Sequence, residues 1–215
     1  MLMIGSPGIG VVEYITHLVK GYIERGEMVI FVTVDTVPED IVSTMQAMDI
    51  DTEEVMGKRL FIIDLHSSLL GSFNGHESSS IDGVRRVTDL EGIMYNIGSI
   101  TKDTGVPVRV FVHSISTLFL YNQTNVVLKF FQISSSKIKM DYGSVIFTLH
   151  DNVHDERTVN HLMAISDGVI ELKFDNHLNR QVRVRHMRGY TLSTDWIPFD
   201  IVRLSPDDRN LIELL

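Results

Sequence analysis

Five short apolar runs, each followed by a polar turn or a stretch with helical spacing, recur along the chain, and this alternation narrows the fold more than any other feature. The runs are 1–4 (MLMI), 28–34 (MVIFVTV), 59–65 (RLFIIDL), 108–114 (VRVFVHS) and 144–150 (SVIFTLH). Continuous apolarity rich in Val, Ile and Phe belongs to strands buried on both faces of a parallel sheet. After the first run, Val12, Ile15, Leu18, Val19 and Ile23 recur at three- and four-residue spacing, and Gly26 supplies a stop. A second helix is predicted from Pro38, because proline suits the first helical position and Glu39 and Asp40 suit the first turn. Further helices are expected over about 89–103, 118–140 and 159–165, with a polar loop over 67–82. Strand and helix in alternation imply parallel βαβ units with helices on both faces, an α/β three-layer αβα domain. The runs GVIELKFD and RQVRVRHM around 176–179 predict a C-terminal β-hairpin.

The 215 residues fit a single domain, and hydrophobic and charged fractions of 44% and 22% are those of a chain that can build a core. With no cysteine, disulfides, thiolate zinc sites and cysteine nucleophiles are excluded, and a cytoplasmic setting is expected. MLMIGSPGIG has no signal-peptide pattern, and no membrane span is expected. A net charge of −9 opposes nucleic acid unless basic residues are gathered on one surface. Arg180, Arg183, Arg185, Arg188 and His186 do gather within nine residues, and we read them as a solvated strand pair rather than a nucleic-acid surface.

The turn after the first run has the glycines of a phosphate loop, G-x-x-x-x-G-K-[ST], whose backbone N–H groups cradle phosphates while Lys and Ser/Thr meet charge and magnesium. Gly5, Ser6, Pro7, Gly8, Ile9 and Gly10 fill the loop, but Val11 and Val12 occupy the last two places. Neither valine can neutralise a phosphate or hold a metal.

Three later segments add to this loop: VIFVTVDTVPEDI, VRVFVHSIS, and SDGVIELKFD followed by VRVRHMRGYTLSTDWIPFDI. Together they resemble the KaiC and RadA-like branch of the RecA superfamily, archaeal-type P-loop ATPase domains, over nearly the whole chain. The resemblance implies that the paired catalytic acids fall on Asp35 and Thr36, the magnesium-anchoring aspartate on His113, and residues that reach a neighbouring subunit's nucleotide on His186, Arg188 and Leu192. Histidine is a poor magnesium ligand, since hard cations prefer oxygen. The resemblance also implies a segment before the first strand, which this chain is expected to lack.

So many lost charges leave little to stabilise a phosphoryl transition state. The expected function is a non-hydrolysing regulatory or protein-interaction module, a pseudo-ATPase, that meets a protein partner or its own copies through RecA-type surfaces. Two alternatives stay open, an ATP-binding protein with little turnover and an accessory factor for a DNA recombinase. No metal or cofactor is expected beyond ATP or ADP held without magnesium.

Other groupings have plainer readings. His150 and His154, beside Asp151, Asp155 and Glu156, would chelate a metal if helical, but a surface loop is favoured. Ser114 and Ser116 near His113 lack the G-x-S-x-G turn of a hydrolase. Trp196, Pro198 and Phe199 suggest core aromatics more than an exposed contact, and Phe73 is either a contact residue or folded back on the sheet.

Overall fold

A computed structural model describes residues 1–71, 81–102, 104–202 and 211–214. Strands and helices alternate as β1 (Leu2–Gly5), α1 (Val11–Glu24), β2 (Met28–Thr33), α2 (Pro38–Ala47), α3 (Thr52–Val55), β3 (Leu60–Asp64), α4 (His66–Leu69), β4 (Val84–Arg86), α5 (Leu90–Thr101), β5 (Val108–His113), α6 (Ile115–Tyr121), α7 (Thr124–Asp141), β6 (Gly143–His150) and α8 (Glu156–Ile165). Four strands close the chain: β7 (Gly168–Phe174), β8 (Arg180–Met187), β9 (Ile197–Val202) and β10 (Leu211–Leu214).

The strand order is β10-β9-β8-β7-β1-β6-β5-β2-β3-β4. Neighbours from β7 to β4 run parallel, while β7/β8, β8/β9 and β9/β10 are antiparallel. Successive strand residues face opposite ways, so the central strands feed two cores. Ile30, Val32, Val110, Val112 and Phe147 pack with Ile93 and Ile97 of α5 and Phe130 and Phe131 of α7. Val29, Phe31, Phe111 and Ile146 pack with Ile15 and Val19 of α1 and Ile41 and Met45 of α2. The result is the three-layer RecA-like arrangement with a C-terminal antiparallel hairpin. No described helix is long and apolar enough to cross a membrane.

The structure departs from the sequence expectation in several places. The single helix expected over 118–140 is two, because Asn122 leaves helical geometry and both its backbone N–H and its side-chain amide donate to the Leu118 carbonyl at 3.0 Å. Such a side chain satisfies the last turn and ends it. The first of these helices begins earlier than expected, capped by Ser114, whose Oγ accepts from the Ser116 N–H. The expected loop opens as the short helix α4, and Phe73 lies outside the described residues. Phe199 is buried, with its ring edge-on to Tyr14 at 5.4 Å, whereas Pro198 is exposed. Trp196 is half-buried under two cations, Lys173 at 4.2 Å and Arg183 at 4.3 Å from its ring centre.

Phe147 is fully buried, 4.6 Å ring to ring from Phe131 and edge-on to Phe130 at 6.4 Å. Truncating it leaves a cavity that neighbours fill only in part, so Phe147→Ala should cost about 3–5 kcal/mol in urea unfolding. Tyr95→Ala, on an exposed face of α5, should stay within about 0.5 kcal/mol.

Candidate functional site

β1 lies inside the sheet, bonded to β6 on one side and to β7 on the other. The chain therefore leaves Gly5 at the carboxyl edge of the parallel strands, where open α/β sheets collect their ligands. Two of the loop's N–H donors are turned to protein carbonyls. The Ser6 N–H donates to the Leu172 carbonyl and the Ile9 N–H to the Ser6 carbonyl, each at 3.1 Å, and Pro7 has no N–H to give.

Aliphatic groups crowd two of the loop glycines, Gly5 and Gly10. Ile9 is fully buried and Val11 nearly so, while Val12 packs beside the α1 core. A Cβ at Gly5 would stand 2.3 Å from Val11 Cγ2, and one at Gly10 only 2.1 Å from Cδ1 of Ile201 in β9. Glu13 sits in the first turn of α1 and brings negative charge to the helix end that favours anions. The adjacent cation is Arg180, which sequence reasoning assigned to a solvated strand. Its Nε donates to the Ile9 carbonyl at 3.1 Å, and its Nη1 lies 3.4 Å from Asp200 Oδ1.

At the same edge, three neighbouring strands bring further polar groups together. Register places Thr33 of β2 opposite His113 of β5, and Val112 opposite Phe147 of β6. His113 is buried, and its peptide bond to Ser114 is cis. Its Nδ1 lies 2.8 Å from Thr148 Oγ1, its Nε2 lies 3.6 Å from Asp35 Oδ1, and its ring stands edge-on to His150 at 6.1 Å. Thr36 Oγ1 donates to Asp35 Oδ1 at 3.2 Å. Burial pushes the His113 imidazole below its usual pKa; the Asp35 carboxylate opposes this, His150 adds to it and Glu13 opposes it. The donor atoms of Asp35, His113 and His150 all lie within 4.8 Å of one another.

His150 and His154 do not form a helical pair. His150 ends β6, Asn152 turns the chain with φ 59°, and α8 begins only after Asp155, whose carboxylate caps it by accepting from the Thr158 N–H. His154 instead places Nε2 2.9 Å from Ser116 Oγ and packs on Phe119 at 4.7 Å. Ser116 Oγ also accepts from the His150 N–H at 2.8 Å, so this serine braces the strand end.

The family model of the KaiC ATPase matches residues 1–205. The chain belongs to the KaiC ATPase family. No curated protein matches it. In this KaiC-family domain, His186 pairs in register with Val169, which is level with Leu2 at the start of β1. His186, Arg188 and Leu192 are all exposed, and the first two lie toward the opposite end of the sheet from the loop. A single chain therefore does not bring His186 or Arg188 to its own loop.

The arginine cluster is largely spent on carboxylates. Glu171 receives Arg183 Nε at 2.5 Å and Arg185 Nη1 at 2.8 Å, and Arg188 Nη1 lies 2.7 Å from Asp167 Oδ1. Burial would raise the Glu171 pKa, but hydrogen bonds from Arg185 and Arg183 outweigh it and hold the carboxyl below its ordinary value of 4.5.

A lowered carboxyl pKa adds stability that is complete above the unfolded value and is lost as pH falls through the folded one. Glu171→Gln should therefore be less stable at neutral pH and lose less on acidification below about pH 4.5, read by urea melts across pH. At the loop, Gly10→Ala combines a positive φ with a clash, whereas Gly8 has open space around it. Gly8→Ala should cost about 1–2 kcal/mol for its left-handed backbone, and Gly10→Ala measurably more by thermal melting.

Proposed function

We propose that this KaiC-family domain is a pseudo-ATPase, a module that does not hydrolyse ATP and acts by binding a protein partner or a second copy of itself. The observation that carries the reading is the aliphatic filling of the loop, Val11 against Gly5 and Ile201 against Gly10. The residues present do not fit a magnesium nucleotide. Valines stand at both positions where the loop pattern calls for lysine and hydroxyl, and Glu13 adds negative charge at the helix end beside the loop. Asp35, Thr36 and His113 are read as vestiges of the catalytic set, with His186, Arg188 and Leu192 as remnants of contacts to a neighbour.

The interaction role draws support from α7. Val126, Ile133 and Met140 are exposed at seven-residue spacing on α7, and Leu120 and Tyr121 are exposed on the preceding α6. A recombinase accessory bound to nucleic acid is disfavoured, because Arg183 and Arg185 share Glu171, Arg188 holds Asp167 and Arg180 holds a loop carbonyl.

ATP at a hundredfold over its dissociation constant would add about 2.7 kcal/mol. In a domain of this size that is a melting shift of roughly 5–11 °C. We expect no such shift at millimolar ATP with or without magnesium, and no Mg-ATPase rate above the protein-free control. A shift without turnover would favour the nucleotide-binding alternative, and turnover lost on Asp35→Asn would sink the proposal.

A further inference from the structure

We propose that Asp35, His113 and His150 form a binding site for a borderline divalent transition-metal ion of the zinc class. His113 and His150 end β5 and β6, Asp35 lies two residues past the end of the adjacent β2, and their donor atoms lie within 4.8 Å of one another. His113 Nε2 and Asp35 Oδ1 are 3.6 Å apart. That is too long for a hydrogen bond. It is close to the roughly 3.4 Å that separates two ligands around a tetrahedral ion with bonds of about 2.0–2.1 Å.

The outer side of the site is already organised. Thr148 Oγ1 can give its proton to the Val112 carbonyl at 3.4 Å, which leaves Thr148 Oγ1 itself to accept from His113 Nδ1–H at 2.8 Å. The imidazole is then held in the tautomer that carries its lone pair on Nε2, facing Asp35, the arrangement in which ligating histidines are fixed by an outer partner. Thr36 Oγ1 holds the carboxylate at 3.2 Å. His113 forms a buried floor, while Asp35 and His150 are partly exposed and leave an approach for an ion.

Charge and donor type both select the ligand. The carboxylates of Asp35 and Glu13 both act on His113, a setting that attracts a cation. Two imidazoles and one carboxylate suit Zn²⁺, Co²⁺, Ni²⁺ or Fe²⁺, whereas Mg²⁺ and Ca²⁺ ask for oxygen. Three protein ligands leave a position for water or for a side chain from a partner.

The site can be tested without nucleotide, so its failure would leave the pseudo-ATPase reading standing, and the reverse holds too. The purified 215-residue chain, freed of metal by chelator, is titrated with Co²⁺ and followed by its visible absorption, then with Zn²⁺ in competition. We expect one Co²⁺ per chain, displaced by Zn²⁺ and not by millimolar Mg²⁺. Asp35→Asn and His150→Gln should each weaken binding by roughly tenfold or more. His154→Gln should leave it unchanged. The two ligand variants avoid the buried His113, and their melting curves report that they fold. Absence of a cobalt spectrum in folded wild-type protein, or undiminished affinity in either ligand variant, overturns the proposal.

Discussion

β1 is hydrogen-bonded in parallel on both sides, to β6 with Gly5 opposite His150 and to β7 with Gly5 opposite Leu172, and the rest of the molecule is located by that double pairing. A strand held on both edges and buried on both faces has no freedom to slide, because a one-residue slip would exchange its two cores. Leu2 and Ile4 feed one core and Met3 the other. The loop that follows must then emerge between the ends of β6 and β7. There it meets Asp151, whose N–H donates to the Gly5 carbonyl at 2.9 Å.

What the sequence made legible follows from how local each signal is. The buried parallel strands could be read because their apolar runs are continuous, and the hairpin β7/β8 because its turn lies between two alternating runs. β4, β9 and β10 went unread: they are short or lie at the sheet's margins, where flanking strands decide the pairing. The family resemblance rests on Gly5, Gly8 and Gly10 and on the runs around Asp35, His113 and Arg188, all readable at fixed spacing.

The site was legible only in part, for a different reason. Asp35 and His113 were visible as departures from a pattern, but His150 was paired with His154 because proximity along the chain was the available guide. Strand order puts β6 beside β5, and so His150 beside His113, and no local feature of the sequence encodes that order. Arg180 shows the same gap. It read as one of four clustered arginines, yet the antiparallel return of β8 carries it to the loop and sends His186 toward the far end.

The contact of Ile201 with Gly10 joins a turn made near the beginning of the chain to a strand made near its end. On the ribosome, β1 and α1 emerge long before β9 exists. The glycine-rich turn is therefore made well before the side chain that covers it, and it is finished only when β9 joins the sheet.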